Sequence, residues 1–69
     1  MKITEQNREI VKAFMRIMID IGVSRTSTEM ITSMLKNQAQ MDALVLFLEQ
    51  NPNLTEMEIL DKAQEIAGL

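Results

Sequence analysis

Residues 26–50 read TSTEMITSMLKNQAQMDALVLFLEQ, twenty-five positions without a glycine or a proline. How this stretch is divided decides the fold. Two readings compete. In the first, Thr26-Ser27-Thr28-Glu29 is a capping box with Thr26 as N-cap, and a short helix follows on Met30, Ile31, Met34 and Leu35. Lys36 and Asn37 then end it, and Asn37 is the N-cap of a third helix with Gln40 at N3, running to about Gln50. In the second reading residues 27–50 form one long helix. Positions 30, 34, 37, 41, 44 and 48 are spaced as a heptad seam of Met, Met, Asn, Met, Leu and Leu. A single polar seam residue such as Asn37 can fix the register of a dimer. Residues 26–28 are poor formers of helix interior, which favours the first reading.

The flanks are clearer. Upstream, Thr4 is a suitable N-cap for a helix from about Glu5 to Ile21. Gly22 stands where a left-handed C-terminal residue is wanted, and Val23 follows as the hydrophobic residue beyond it. Ile10, Val11, Phe14, Ile17, Met18 and Ile21 share one face of this helix. Arg8, Lys12 and Arg16 line another face. Downstream, Asn51-Pro52-Asn53 breaks the chain, because Pro52 cannot continue a helix. Thr55-Glu56-Met57-Glu58 is a capping box, with Leu54 and Ile59 placed as a hydrophobic staple. The fourth helix runs from about Glu56 to Ala67, with a core face of Met57, Leu60 and Ala63, extended by Ile59, Ile66 and Ala67. Gly68 ends it. No alternation of period two suggests a strand. The fold expected is all-α: one domain over residues 1–69, a compact bundle of four short helices with antiparallel neighbours. The alternative is three helices, with residues 27–50 continuous in a dimer.

Composition excludes several classes of function. The chain has no His, Cys, Trp or Tyr. No Ser-His or Cys-His nucleophile pair, disulfide or Cys/His metal site is available. Gly22 and Gly68 are isolated, so no glycine-rich phosphate loop exists. Glu58, Asp61 and Glu65 share a helix face, where an exposed acidic surface is the simpler account than a cation site. The expectation is a protein that is not an enzyme, with no metal, no cofactor and no small-molecule substrate. The longest uncharged apolar run, Ala43–Leu48, is far shorter than the ~20 residues of a membrane span. A soluble cytoplasmic protein is the default.

What remains is contact. A chain of 69 residues has a small core and often gains stability by oligomerising. Six internal methionines, flexible and polarisable, suit surfaces that adapt to a partner. Met18, Met30, Met34, Met41 and Met57 fall on core-facing positions. Met15, Ile19, Leu46 and Phe47 fall outside the stripe their own helix needs, and these four are the candidate protein interface. Helix three, with Met41, Leu44, Val45 and Leu48 on one face and Leu46 and Phe47 elsewhere, is apolar nearly all round. It should be central to the fold or covered by a partner.

Charge is uneven. Residues 1–36 carry six Lys and Arg against four Asp and Glu, a net of +2; residues 37–69 carry one against six, a net of −5. A basic first helix could therefore dock on the acidic half, within one chain or across a homodimer. The leading expectation is a non-enzymatic helical interaction module that self-associates. A second is a small DNA-associated regulator using Arg8, Lys12, Arg16 and Arg25. Against it, helix three as a recognition helix carries Asp42 and Glu49 and no cation, so phosphates would repel it. A third is an acidic inhibitor or accessory subunit of a larger protein.

Overall fold

The computed structural model describes all residues, 1–69. The protein is an all-α bundle of four helices: α1 (Arg8–Ile21), α2 (Arg25–Met34), α3 (Gln38–Gln50) and α4 (Glu56–Ala67). None is long and apolar enough to cross a membrane. The fold measures 30 × 25 × 23 Å. Helix α3 packs on both α1 and α4, and α4 packs on α2. The most apolar helix is thus the central one.

The long-helix reading of residues 27–50 is overturned at Leu35. Its backbone is extended (φ −71°, ψ 139°) and its side chain is fully buried. Burying Leu35 turns the chain out of α2. Asn37 then starts α3 as the spacing predicts, its Oδ1 accepting the Gln40 amide at 3.0 Å. Asn37 itself is exposed and belongs to no seam.

The core holds thirteen buried apolar residues. From α1 come Val11, Phe14 and Met18; from α2 and its exit, Ile31 and Leu35; from α3, Met41, Leu44, Val45 and Leu48; from α4, Ile59, Ala63 and Ala67. Val23 completes the set from the α1–α2 loop. Two methionines expected in the core lie outside it: Met30 is 48% and Met57 65% exposed. On α2 the buried face is rotated toward Ser27, Thr28 and Thr32. The two threonine hydroxyls donate to carbonyls one turn back, Thr28 to Ser24 and Thr32 to Thr28, each at 2.9 Å. Their polar atoms are satisfied locally, so burying them costs little, and Met30 is displaced to solvent.

Helix ends differ from expectation in two places. Helix α1 starts at Arg8, and Thr4 is not its N-cap. The half-turn before it is held by Asn7, whose Oδ1 accepts the Thr4 amide at 2.8 Å and whose Nδ2 donates to the Lys2 carbonyl at 2.9 Å. Asn7 spends its side chain on the N-terminal arm, so residues 5–7 form a turn instead of helix. At α2 the N-cap is Ser24, not Thr26, and the Thr26–Glu29 capping box is not formed. Glu29 instead pairs with Arg25 one turn earlier, at 3.1 Å. Ser24 Oγ accepts the Ser27 amide at 3.2 Å. The carboxylate that completes the arrangement comes from α4: Glu56 Oε1 accepts the Ser24 amide at 3.2 Å, and Oε2 accepts the Ser27 hydroxyl at 3.0 Å.

The capping box of α4 forms as the sequence predicts. The Thr55 amide donates to Glu58 Oε1 at 2.9 Å, and the Glu58 amide donates to Thr55 Oγ1 at 3.2 Å. The Thr55 amide, and after it the Thr55 hydroxyl, hold the Glu58 carboxyl below its ordinary 4.5. A depressed carboxyl stabilises the fold above its unfolded value, and this contribution is lost as pH falls through the lowered one.

Gly22 closes α1 in the left-handed region, at φ 92°. Its amide donates to the Ile19 carbonyl and the Val23 amide to that of Met18, at 3.0 and 2.9 Å. This is a Schellman motif, and Val23 beyond it enters the core. A Cβ at position 22 would meet no atom within 4 Å. The cost of Gly22→Ala is therefore one of backbone strain alone. It should lower stability by about 1 kcal/mol, seen in thermal unfolding as a drop of roughly 4–8 °C.

Candidate interaction surface

The four residues expected at an interface do not form one patch. Met15 and Ile19 lie one turn apart on α1. Met15 is half-buried against the core, while Ile19 is 75% exposed. Leu46 on α3 is 55% exposed. Phe47 is half-buried and packs against the core. The Lys62 ammonium of α4 stands 5.0 Å from the centre of its ring, a cation–π contact that covers one face of the ring. No cavity joins Leu46 or Phe47 to the α1 pair.

Around Met15 and Ile19 the surface is concave on two sides. On one, these two side chains with Val23 and with Arg25, Thr28 and Glu29 of α2 bound an open groove of about 350 Å³. On the other, Lys12, Arg16 and Asp20 bound a shallower depression that shares Met15 and Ile19. Ile19 is thus a ridge between two hollows. A straight helix places Arg8, Lys12, Met15 and Ile19 within an arc of about 60°, with Arg16 just beside it. These positions flank the buried stripe of α1, Val11, Phe14 and Met18, about a quarter turn around the helix.

A second stripe lies on α3. Asp42, Leu46 and Glu49 also fall within about 60° of one another, and all three are exposed. No Lys or Arg occurs between Lys36 and Lys62, so nothing on α3 neutralises them.

Charge pairing within the chain is slight. The two ion pairs, Arg25–Glu29 and Lys62–Glu65, each lie within one helix; the first is exposed, and in the second Lys62 is half-buried. Neither joins the basic half to the acidic half: α1 does pack on α3, but no ion pair crosses that contact. Of the four basic residues considered for nucleic acid, Arg25 is engaged with Glu29, and Arg8, Lys12 and Arg16 make no ion pair. The acidic groups of α4 are partly committed: Glu56 to the start of α2, Glu58 to its own cap, Glu65 to Lys62. Glu58, Asp61 and Glu65 do not make a group able to hold a metal ion. Asp42 and Glu49 on α3 have no partner in the chain. The surface therefore presents unpaired cations beside an exposed isoleucine on α1, and unpaired carboxylates beside an exposed leucine on α3. Comparisons of the chain with protein-family models, with curated proteins and with solved structures give no significant match.

Proposed function

We propose that this chain is a small helical interaction module that self-associates, with Ile19 at the centre of its contact surface. The observation that carries the reading is Ile19 itself, a β-branched side chain 75% exposed, on a ridge between two hollows and beside the unpaired cations Lys12 and Arg16. A lone exposed apolar residue is ordinary. One set on grooved, apolar-lined ground within a ring of charge has the plan of an interface, with an apolar centre and a polar rim.

Sedimentation across concentrations tests it. The mass should rise above 7.9 kDa between low and high micromolar concentrations. Ile19→Glu should hold the chain at that mass with its helical circular dichroism unchanged. Burial of one such side chain contributes about 1.5–3 kcal/mol, so association should weaken by at least about tenfold. A strict monomer across the whole range would refute self-association.

A further inference from the structure

We infer that the occupant of the α1 surface is a second copy of this chain, with the Asp42–Leu46–Glu49 stripe of its α3 laid along the Lys12–Met15–Arg16–Ile19 stripe of α1. The inference rests on the self-association proposed above and specifies how it is made.

Three observations select this pairing. First, the stripes match in length. Each spans eight residues, about 10.5 Å from first to last Cα along the helix. Second, the stripes carry opposite charges that have no partner in the chain: Lys12 and Arg16 lie beside Met15 and Ile19, with Asp20 also bounding that depression, and Asp42 and Glu49 lie on either side of Leu46. Pairing α1 with α1 of another copy would bury Ile19 only by setting cation against cation. Pairing α3 with α3 would set carboxylate against carboxylate. Like charges across a contact suppress such pairings. The α1–α3 pairing brings the apolar groups together and sets cation against carboxylate. Third, the acidic and basic groups next to the other exposed apolar residues of the helices are mostly engaged within the chain. Met57 on α4 has neighbours Glu56 and Glu58, whose carboxylates are held within the chain. Met30 on α2 lies beside Glu29, which is paired with Arg25.

Within one chain α1 and α3 pack side by side. Every copy carries both stripes, and a two-fold dimer would use them reciprocally, α1 on α3 and α3 on α1. One helix face of this length presents on the order of 200 Å². Even two fall short of the ~800 Å² per partner in a standard interface. The association is accordingly weak and dependent on concentration.

Charge reversal tests the pairing. One chain carries Lys12→Glu and Arg16→Glu; the other carries Asp42→Lys and Glu49→Lys. All four positions are exposed, so circular dichroism should be unchanged. Each reversed chain alone should associate at least about tenfold more weakly than the wild type by sedimentation, and an equimolar mixture should recover association. Leu46→Glu, also at an exposed position, should abolish association and serves as a second test independent of the reversals. If the wild type associates while the reversed chains do so equally well, or while their mixture gains nothing, the α1–α3 pairing is wrong and self-association stands. If Leu46→Glu associates like the wild type, the pairing is equally wrong. If the wild type itself stays monomeric, self-association fails and the pairing with it.

Discussion

Phe14→Ala should remove from about a third to the whole of the stability of the fold at 25 °C. Phe14 is fully buried, one of seven large side chains with essentially no exposure, and one of only two aromatic residues. It sits mid-helix in α1, between Val11 and Met18 on the buried stripe. Truncating a buried phenylalanine to alanine costs about 3–5 kcal/mol, the lost transfer energy together with the cavity left behind. A domain of this length has roughly 3–10 kcal/mol in all, at about 0.05–0.15 kcal/mol per residue. The substitution therefore removes from a third of the stability to the whole of it. Nothing offsets the loss, since the chain has no disulfide. Urea titration followed by circular dichroism should show the midpoint lowered by about a third or more, or a chain already unfolded in buffer. Ile19→Ala, on the exposed side of the same helix, should stay within about 0.5 kcal/mol of wild type. A Phe14→Ala chain as stable as Ile19→Ala would contradict the core described here.

The contrast between Phe14 and Ile19 was legible in the sequence, because helical period alone puts them on different faces. So were the features whose cause lies within a few residues: the Asn37 cap, the Thr55–Glu58 box, and the left-handed Gly22 and Gly68. Failures occurred where the deciding partner is distant in sequence. Glu29 has the spacing of a box carboxylate, yet the α2 start is served by Glu56, which no local pattern connects to Ser24. Asn7 bonds backward to Lys2 and Thr4, and this shortens α1 by three residues against the Glu5 start. Met30 and Met57 occupy apolar wheel positions but face water, because the wheel orders positions around a helix without saying which neighbours arrive. The same limit applies to the candidate interface. Off-stripe spacing singled out Ile19 and Leu46, which are exposed, and equally Met15 and Phe47, which are half-covered. The free charges Asp42 and Glu49 flanking Leu46 were visible in the sequence only as a reason to doubt DNA binding. Their place on one stripe with Leu46 acquires meaning once Glu56, Glu58 and Glu65 of α4 are found to be engaged.

Glu56→Ala should lower stability by about 1–2 kcal/mol, in the range of a lost helix cap and of hydrogen bonds to a charged acceptor, and α2 should loosen first. The Glu56 carboxylate accepts from both the Ser24 amide and the Ser27 hydroxyl. It holds together the starts of α2 and α4, where the positive ends of two helix dipoles meet one negative charge. Helix α2 depends on it more than another helix would. Only Ile31, and Leu35 at its exit, give it fully buried apolar side chains, and its main packing partner is α4. Hydrogen exchange should show protection falling across residues 25–34 while the α1 and α3 amides keep theirs. Glu56→Gln retains one acceptor oxygen and should fall between wild type and Glu56→Ala. In a double-mutant cycle with Ser27→Ala the two losses should be non-additive by at least about 0.5 kcal/mol; strict additivity would show that the Ser27–Glu56 bond carries no stability. The same variant separates two forms of association. A partner seated in the groove between α1 and α2 needs the wall formed by Arg25, Thr28 and Glu29, and would be lost as α2 loosens. The α1–α3 pairing uses no residue of α2, so dimerisation of Glu56→Ala should match wild type at temperatures where the variant remains folded.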